Sequence, residues 1–150
     1  MLNVLKTNLN SLKIVFTILL FICIVSSLVL RDYIIPKRFD DLLGTNDKNI
    51  TKVFMRDGSN GNSVSTNDRV KIEELLAVLN NLLYRKSFNQ QRRTGYSYFY
   101  EFYIGNKAVL RITGSGKNVD INGIYYELNQ AISKNELREW FNSLPIEASK

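Results

Sequence analysis

Few side chains in this chain of 150 residues are suited to catalysis. There is no histidine, and the one cysteine, Cys23, lies inside an apolar run. A Ser-His or Cys-His nucleophile is therefore excluded, as is a metal site built on imidazole or thiolate. Carboxylate chemistry remains, because Glu101, Asp120 and Glu127 could meet in a sheet. Nothing in the sequence fixes their separation, so we expect no enzyme, no cofactor and no metal ion.

Basic and tyrosine side chains are the better candidates for a binding site. The densest basic patch surrounds the polar stretch 89–91 and could bind phosphate or an acidic partner, although a solvated loop is the simpler interpretation. The tyrosines of the segment GYSYFYEFYI (95–104) alternate, so in a strand they share one face. We predict a possible interaction surface for a protein, peptide or wall polymer that comprises Arg85, Lys86, Arg92, Arg93, Tyr96, Tyr98 and Tyr100.

Segment 95–99 also resembles the aromatic strand motif of RNA-recognition domains. Exposed aromatic rings on such a strand stack on bases. The match fails at Thr94, where that motif has a basic residue, and at Glu101, where it has an aromatic one. Nucleic acid is not expected as a partner, and cross-strand packing of the rings explains the segment more simply.

The apolar run Ile14–Leu30 predicts a transmembrane helix. Its 17 residues carry no charge, and at about 1.5 Å per residue this is the lower limit for crossing a hydrocarbon core of about 30 Å. Small residues at 25–27 would also suit cleavage of a secretory signal. The apolar run continues beyond them to Leu30, which favours a retained signal anchor.

The flanking charges give no clear orientation, since basic residues lie on both sides of the run. A short N-terminal head before a single apolar run is typical of a signal anchor. We therefore predict a single-pass protein of the cell membrane with the C-terminal domain outside the cell. Residues 31–150 carry 18 Lys and Arg against 14 Asp and Glu, a net charge of +4. That charge suits an anionic surface without identifying one.

The sequence divides into five segments. They are a short polar head (1–13), the transmembrane helix (14–30), a juxtamembrane linker (31–49), an α+β domain (50–144) and a tail (145–150). In the linker, Arg31, Lys37 and Arg38 could hold anionic headgroups. A loop with oxygen donors at Asp57, Asn60 and Asn62 lacks the spaced acids of a calcium loop and is interpreted as a turn.

Hydrophobic periodicity predicts the elements of the domain. A first strand covers 50–56, and leucines spaced by three and four predict a helix whose N-cap is Thr66 or Asn67. A four-stranded antiparallel meander follows, in which Asn122-Gly123 is a type I′ hairpin turn. Ser133 and Glu136 form a capping box that opens a last helix. The prediction is an α+β fold of order β-α-β-β-β-β-α, with two helices packed on one face of the sheet.

A leucine-rich helix before a meander that ends in Ile-Asn-Gly-Ile-Tyr-Tyr (121–126) resembles a known family. These are the small membrane-tethered domains of unknown function in Gram-positive bacteria. The resemblance covers residues 50–144 and implies the tethered α+β architecture. It brings no activity or catalytic residues.

Two functions follow from these observations. The first is a membrane-anchored protein whose extracytoplasmic domain binds a partner. The alternative is a small accessory or immunity-type membrane protein that acts through its transmembrane helix.

Overall fold

The chain forms two units in a computed structural model that describes residues 2–91 and 95–147. The first unit ends at Ile35. The second begins at Pro36 and is called the domain below.

The first unit is one continuous helix, α1 (Leu2–Ile34). Its stretch Leu12–Ile34 has 23 residues, and an 18-residue segment within it has a mean hydropathy of 2.7 and is not buried. At about 1.5 Å per residue this stretch measures about 35 Å, against about 30 Å for a hydrocarbon core. The Thr17 hydroxyl donates to the Lys13 carbonyl oxygen at 2.9 Å, so it is satisfied within the helix. The helix is long and apolar enough to cross a membrane, a test that a signal sequence near the N-terminus also passes.

The domain combines three α-helices and a 3-10 helix (Asp47–Asn49) with one sheet. The α-helices are α2 (Phe39–Leu43), α3 (Arg69–Asn80) and α4 (Lys134–Asn142). The strands are β1 (Lys52–Asp57), β2 (Ser63–Thr66), β3 (Tyr84–Lys86), β4 (Tyr98–Ile104), β5 (Lys107–Ser115), β6 (Asn118–Ile121), β7 (Ile124–Leu128) and β8 (Ile146–Glu147).

The sheet has the order β3-β7-β6-β5-β4-β1-β2-β8, and every neighbouring pair is antiparallel. The predicted α+β class and the meander β4 to β7 are confirmed. The predicted element order is incomplete, because β2, β3 and β8 were not expected. These strands have four, three and two residues, which is too short for an alternating pattern to be recognised.

The core lies between one face of the sheet, called the inner face, and the three helices. Leu75, Leu76 and Leu79 of α3 are buried there, as are Leu137, Trp140 and Phe141 of α4. The apolar stripes expected from the sequence extend beyond the helices to Leu83, which is 40% exposed, and to Leu144, which is partly buried. The Trp140 indole Nε1 donates to the carbonyl oxygen of Lys71 at 2.7 Å and joins α4 to α3.

The caps of these helices are partly as predicted. Ser133 caps α4 by accepting from the backbone N–H of Glu136 at 3.3 Å. The cap of α3 is Asp68, not Thr66 or Asn67, and it accepts from the N–H of Val70 at 2.9 Å.

The segment predicted as a linker is largely part of the two folded units. Its first residues continue α1 to Ile34, and the compact domain already begins at Pro36. Lys37 exchanges two backbone hydrogen bonds of 2.8 Å with Tyr84. Phe39 is fully buried, with its ring 5.4 Å from that of Phe102. The domain therefore starts 14 residues earlier than the predicted residue 50.

The hairpin between β6 and β7 has the predicted turn. Asn122 and Gly123 have φ angles of 52° and 86°, the left-handed pair that type I′ requires. The Asn122 backbone N–H donates to the Arg111 carbonyl oxygen at 3.0 Å, and its Oδ1 accepts from the Arg111 N–H at 2.9 Å. This turn therefore fixes the backbone of Arg111 in the neighbouring strand.

Candidate interaction surface

Strand β4 directs its two sets of side chains to opposite faces of the sheet. Tyr98, Tyr100 and Phe102 lie in the core, whereas Phe99, Glu101 and Tyr103 are only partly buried on the other face. The expectation that Tyr98 and Tyr100 form an exposed binding surface is thereby corrected. Their rings supply the inner face with apolar area, because all three helices pack on that side.

The predicted basic residues do not join the tyrosines. Arg85 is exposed on β3, which is four strands away from β4 in the sheet, or about 19 Å at the usual strand spacing. Lys86 is half-buried on the same strand. Arg92 and Arg93 lie outside the described residues. Tyr96 is 38% exposed and stands apart from the other two tyrosines, with its ring 6.2 Å from that of Phe99.

The outer face of the sheet carries an ordered array of cations and aromatic rings. Register places Lys52 opposite Tyr103, Phe54 opposite Glu101 and Arg56 opposite Phe99. On the other side of β4, Arg111 is opposite Glu101 and Thr113 is opposite Phe99. We call this surface the cation–aromatic face and define it by Lys52, Phe54, Arg56, Phe99, Glu101, Tyr103 and Arg111.

Each cation of this face lies over an aromatic ring. The Lys52 Nζ is 5.6 Å from the centre of the Tyr103 ring. The Arg111 guanidinium carbon is 5.5 Å from the Phe99 ring, and that of Arg56 is 6.0 Å from the Phe54 ring. Phe54 and Phe99 meet edge to face at 6.2 Å. Such contacts orient the cations while leaving them exposed. The side chains of this face are therefore already arranged before a partner binds.

Glu101 occupies the centre of the cation–aromatic face, and its side chain is only 14% exposed. Arg111 donates to its Oε1 through Nη2 at 2.6 Å and Nε at 3.0 Å, and the Tyr103 hydroxyl donates to Oε2 at 2.6 Å. Burial by itself would raise the pKa of Glu101. The hydrogen bonds from Tyr103 and Arg111, with the charge of Arg111, outweigh it and hold the pKa below the usual value.

The same hydrogen bond shifts the pKa of Tyr103 upward. Its hydrogen bond to the Glu101 carboxylate is the largest cause that raises the pKa of the phenol. Because Glu101 is ionised and Tyr103 is protonated at neutral pH, the three side chains form a fixed ion-pair network. The face then carries three cations against one carboxylate.

A close backbone contact places Tyr96 beside this face. The Gly58 N–H donates to the carbonyl oxygen of Ser97 at 2.8 Å. A Cβ atom on Gly58 would come within 2.2 Å of the Tyr96 carbonyl oxygen. Only glycine permits the turn after β1 to approach the segment before β4 this closely.

The three carboxylates considered for catalysis are engaged separately. Glu101 is held as described, and Asp120 on β6 accepts from the backbone N–H of Gly123 at 2.6 Å. Glu127 on β7 accepts from the Ser87 hydroxyl at 3.0 Å and pairs with Arg85 at 3.3 Å. Within residues 2–91 and 95–147 no three His, Cys, Asp or Glu side chains are grouped as metal ligands.

Most residues of the cation–aromatic face were missed in the sequence. The signal was present, because Lys52, Phe54 and Arg56 alternate with the apolar residues of β1. In β4 the alternate set that contains Glu101 had to face solvent, since an unpaired carboxylate is rarely buried. Glu101 therefore indicated the exposed face of β4 more reliably than the tyrosines did.

No protein-family model matches this chain, and neither a curated protein nor a solved structure shows significant similarity to it. The resemblance to Gram-positive tethered domains stays a prediction. The geometry of the domain therefore carries the functional argument.

Proposed function

We propose that this chain is a single-pass membrane-anchored protein whose extracytoplasmic domain binds an anionic partner on the cation–aromatic face. The observation that carries the proposal is the open outer side of the sheet. The three α-helices of the described domain contribute their buried residues to the core on the inner side. Phe54, Phe99 and Tyr103 stay partly exposed on the outer side, each with a cation over its ring.

The chemistry of the face supports binding of negative charge. Lys52, Arg56 and Arg111 outnumber the single carboxylate, and Glu101 is already neutralised by Arg111. The rings add apolar contact area at a low cost in conformational entropy, which is why aromatic residues and arginine are frequent in binding surfaces. An acidic protein or peptide, or an anionic wall polymer, has the complementary charge.

Membrane anchoring is supported by the length and hydropathy of Leu12–Ile34. Orientation is tested by protease treatment of intact cells that carry a C-terminal tag. We expect the full-length chain in the membrane fraction and digestion of the tag. A tag protected until lysis would place the domain in the cytoplasm and contradict the proposal.

Binding is tested by photo-crosslinking in intact cells with a photoreactive phenylalanine analogue at Phe54. The control carries the analogue at Arg138, an exposed position on α4. We expect an adduct from position 54 alone. A discrete protease-sensitive adduct identifies a protein or peptide, and a protease-resistant heterogeneous one identifies a polymer. Equal adducts from both positions, or none from position 54, would contradict a binding role for this face.

Charge is tested in the same assay with two double variants. Lys52→Gln with Arg56→Gln removes two cations from the face, and Lys134→Gln with Arg138→Gln removes two from α4. We expect only the first pair to reduce the adduct, by about tenfold, since each lost charge–charge contact is worth about 0.5–1 kcal/mol at an exposed site. Equal yields from the two pairs would show that charge on the face is not used.

The alternative, action through α1, rests on the exposed apolar side chains of this helix, among them Phe16, Phe21 and Leu28. Replacing residues 12–34 by an unrelated transmembrane anchor separates the two functions. Crosslinking from Phe54 persists if the domain is the working part. Loss of crosslinking while the chain stays in the membrane would favour a helix that pairs with a membrane partner.

A further inference from the structure

A second surface feature of the domain lies away from the cation–aromatic face. It is a cavity of about 510 Å³ at the corner of the sheet where β3 begins and β7 ends. Its polar wall includes Arg85, Lys117, Asn118 and Asn129, and its apolar wall includes Pro36. From these residues we propose that the cavity binds the phosphate-bearing headgroup of an anionic phospholipid. The inference rests on the membrane anchoring proposed above.

The charge of the cavity favours a phosphate group. Its one carboxylate, Glu127, is already paired with Arg85 at 3.3 Å and hydrogen-bonded by the Ser87 hydroxyl at 3.0 Å. Lys117 makes no ion pair within the described part of the domain. A lysine ammonium and an arginine fork that retains free N–H donors are the usual ligands of phosphate oxygens.

Amide side chains complement the two cations. The Asn129 Oδ1 accepts from the backbone N–H of Leu83 at 2.9 Å, which fixes the orientation of this side chain at the cavity wall. Its amide NH₂ is then the group left to donate, as is that of Asn118. A glycerol phosphate headgroup offers hydroxyl and phosphate oxygens as acceptors for both.

The position of the cavity along the chain favours a lipid over a soluble phosphate. Pro36 in its wall stands two residues after Ile34, the last residue of α1. Two trans peptide units span at most about 7 Å. Lys37, the next residue, is joined to Tyr84 by two backbone hydrogen bonds, so the first residues of the domain are held at this cavity. The covalent link therefore keeps Pro36 within about 7 Å of Ile34, the residue at which the anchoring proposed above brings the chain out of the bilayer.

The test uses the full chain in nanodiscs and native mass spectrometry to count the lipids retained after release. The probes are phosphatidylglycerol and the zwitterionic phosphatidylcholine, mixed in equal amounts. We expect the chain to retain one phosphatidylglycerol at least fivefold more often than phosphatidylcholine. Equal retention of the two lipids would overturn the proposal.

Matched variants locate the site. Arg85→Gln with Lys117→Gln should abolish the preference, whereas Lys52→Gln with Arg56→Gln removes the same charge elsewhere and should keep it. Glu127→Gln frees Arg85 from its partner and should strengthen the preference. A preference that survives the first pair, or falls equally with both pairs, would show that the cavity is not the site.

Two further measurements complete the test. The first distinguishes a lipid headgroup from a soluble phosphate as the ligand, and the second shows whether the chain is anchored in the membrane at all. Glycerol phosphate at 1 mM should leave the retained lipid in place; full displacement would identify a soluble phosphate as the ligand and overturn the lipid assignment. A chain found in the soluble fraction would contradict the anchoring, and the lipid site with it. A membrane-bound chain without lipid preference overturns the headgroup site alone.

Discussion

The hydroxyl of Tyr100 is a buried polar group without a hydrogen-bond partner in the described part of the domain. Burial is the main cause that raises the pKa of this phenol well above its ordinary value, so the group is neutral. An unpaired buried hydroxyl costs about 1–3 kcal/mol. We expect Tyr100→Phe to raise the free energy of unfolding by about 1 kcal/mol, measured by urea titration of the full chain in detergent with Trp140 fluorescence as the signal.

Tyr84 provides the matched control for this substitution. It is equally buried, but its hydroxyl donates to the carbonyl oxygen of Leu79 at 3.1 Å. Tyr84→Phe should therefore lower the free energy of unfolding by about 1 kcal/mol. Equal losses in the two variants would show that Tyr100 has a partner, for example a water in the adjoining cavity of about 20 Å³, a volume large enough for one molecule.

The carboxylate of Glu101 makes the free energy of unfolding of the domain depend on pH. Its pKa is lower in the folded chain than in the unfolded one. The stabilisation is therefore complete above the unfolded pKa of about 4.3 and is lost as the pH falls through the lower folded value. At pH 7 we expect Glu101→Gln to cost about 1 kcal/mol. The cost should shrink in urea titrations below pH 4, and a difference that stays constant with pH would contradict the ion-pair network.

At the scale of elements, the contact between the β1 turn and the β4 entry depends on Gly58. A Cβ there would meet the Tyr96 backbone at 2.2 Å, whereas one on Gly114 would meet the Val119 side chain at 2.7 Å. A side chain can rotate to make room for the new methyl group, whereas a backbone carbonyl can move only if the chain itself shifts. We expect Gly58→Ala to lower the free energy of unfolding by about 2 kcal/mol and Gly114→Ala by less. The reverse order in urea titrations would show that the turn is free to shift.

Local patterns made several elements predictable. The leucine spacing of α3, the Asn122-Gly123 turn and the cap at Ser133 are all properties of a few neighbouring residues. The two sets of side chains on β4 were also predictable, since alternation has a period of two. Which set is inside was indicated by Glu101, a charged residue in the set that faces outward.

Long-range pairing explains what the sequence did not reveal. Strand β3 exists because Tyr84, Arg85 and Lys86 pair with β7, and Arg85 lies 42 residues from its partner Glu127. The cation–aromatic face likewise forms only when β1 pairs with β4 and β4 with β5. The basic patch could therefore be recognised in the sequence as a run of neighbouring residues. The residues of the cation–aromatic face could not, because they are distributed over three strands.

At the scale of the whole molecule, the domain boundary at Pro36 has a measurable consequence. Phe39 is fully buried, with ring contacts to Phe102 at 5.4 Å and to Tyr84 at 6.1 Å. The sequence alone placed the start of the domain at residue 50, which would discard this side chain together with α2. A fragment of residues 36–150 should fold in the absence of α1, because it contains the whole core.

A fragment of residues 50–150 should be far less stable than the longer one. It lacks the buried ring of Phe39, and removing a buried phenylalanine side chain costs about 3–5 kcal/mol, a large part of the stability of a domain. Phe39→Ala in the longer fragment should reproduce most of this loss, while Asp40→Ala at the neighbouring exposed position should not. Thermal unfolding followed by circular dichroism measures all four proteins. Equal transition temperatures for the two fragments would mean that residues 36–49 pack on the domain without stabilising it, and that the autonomous domain begins at residue 50.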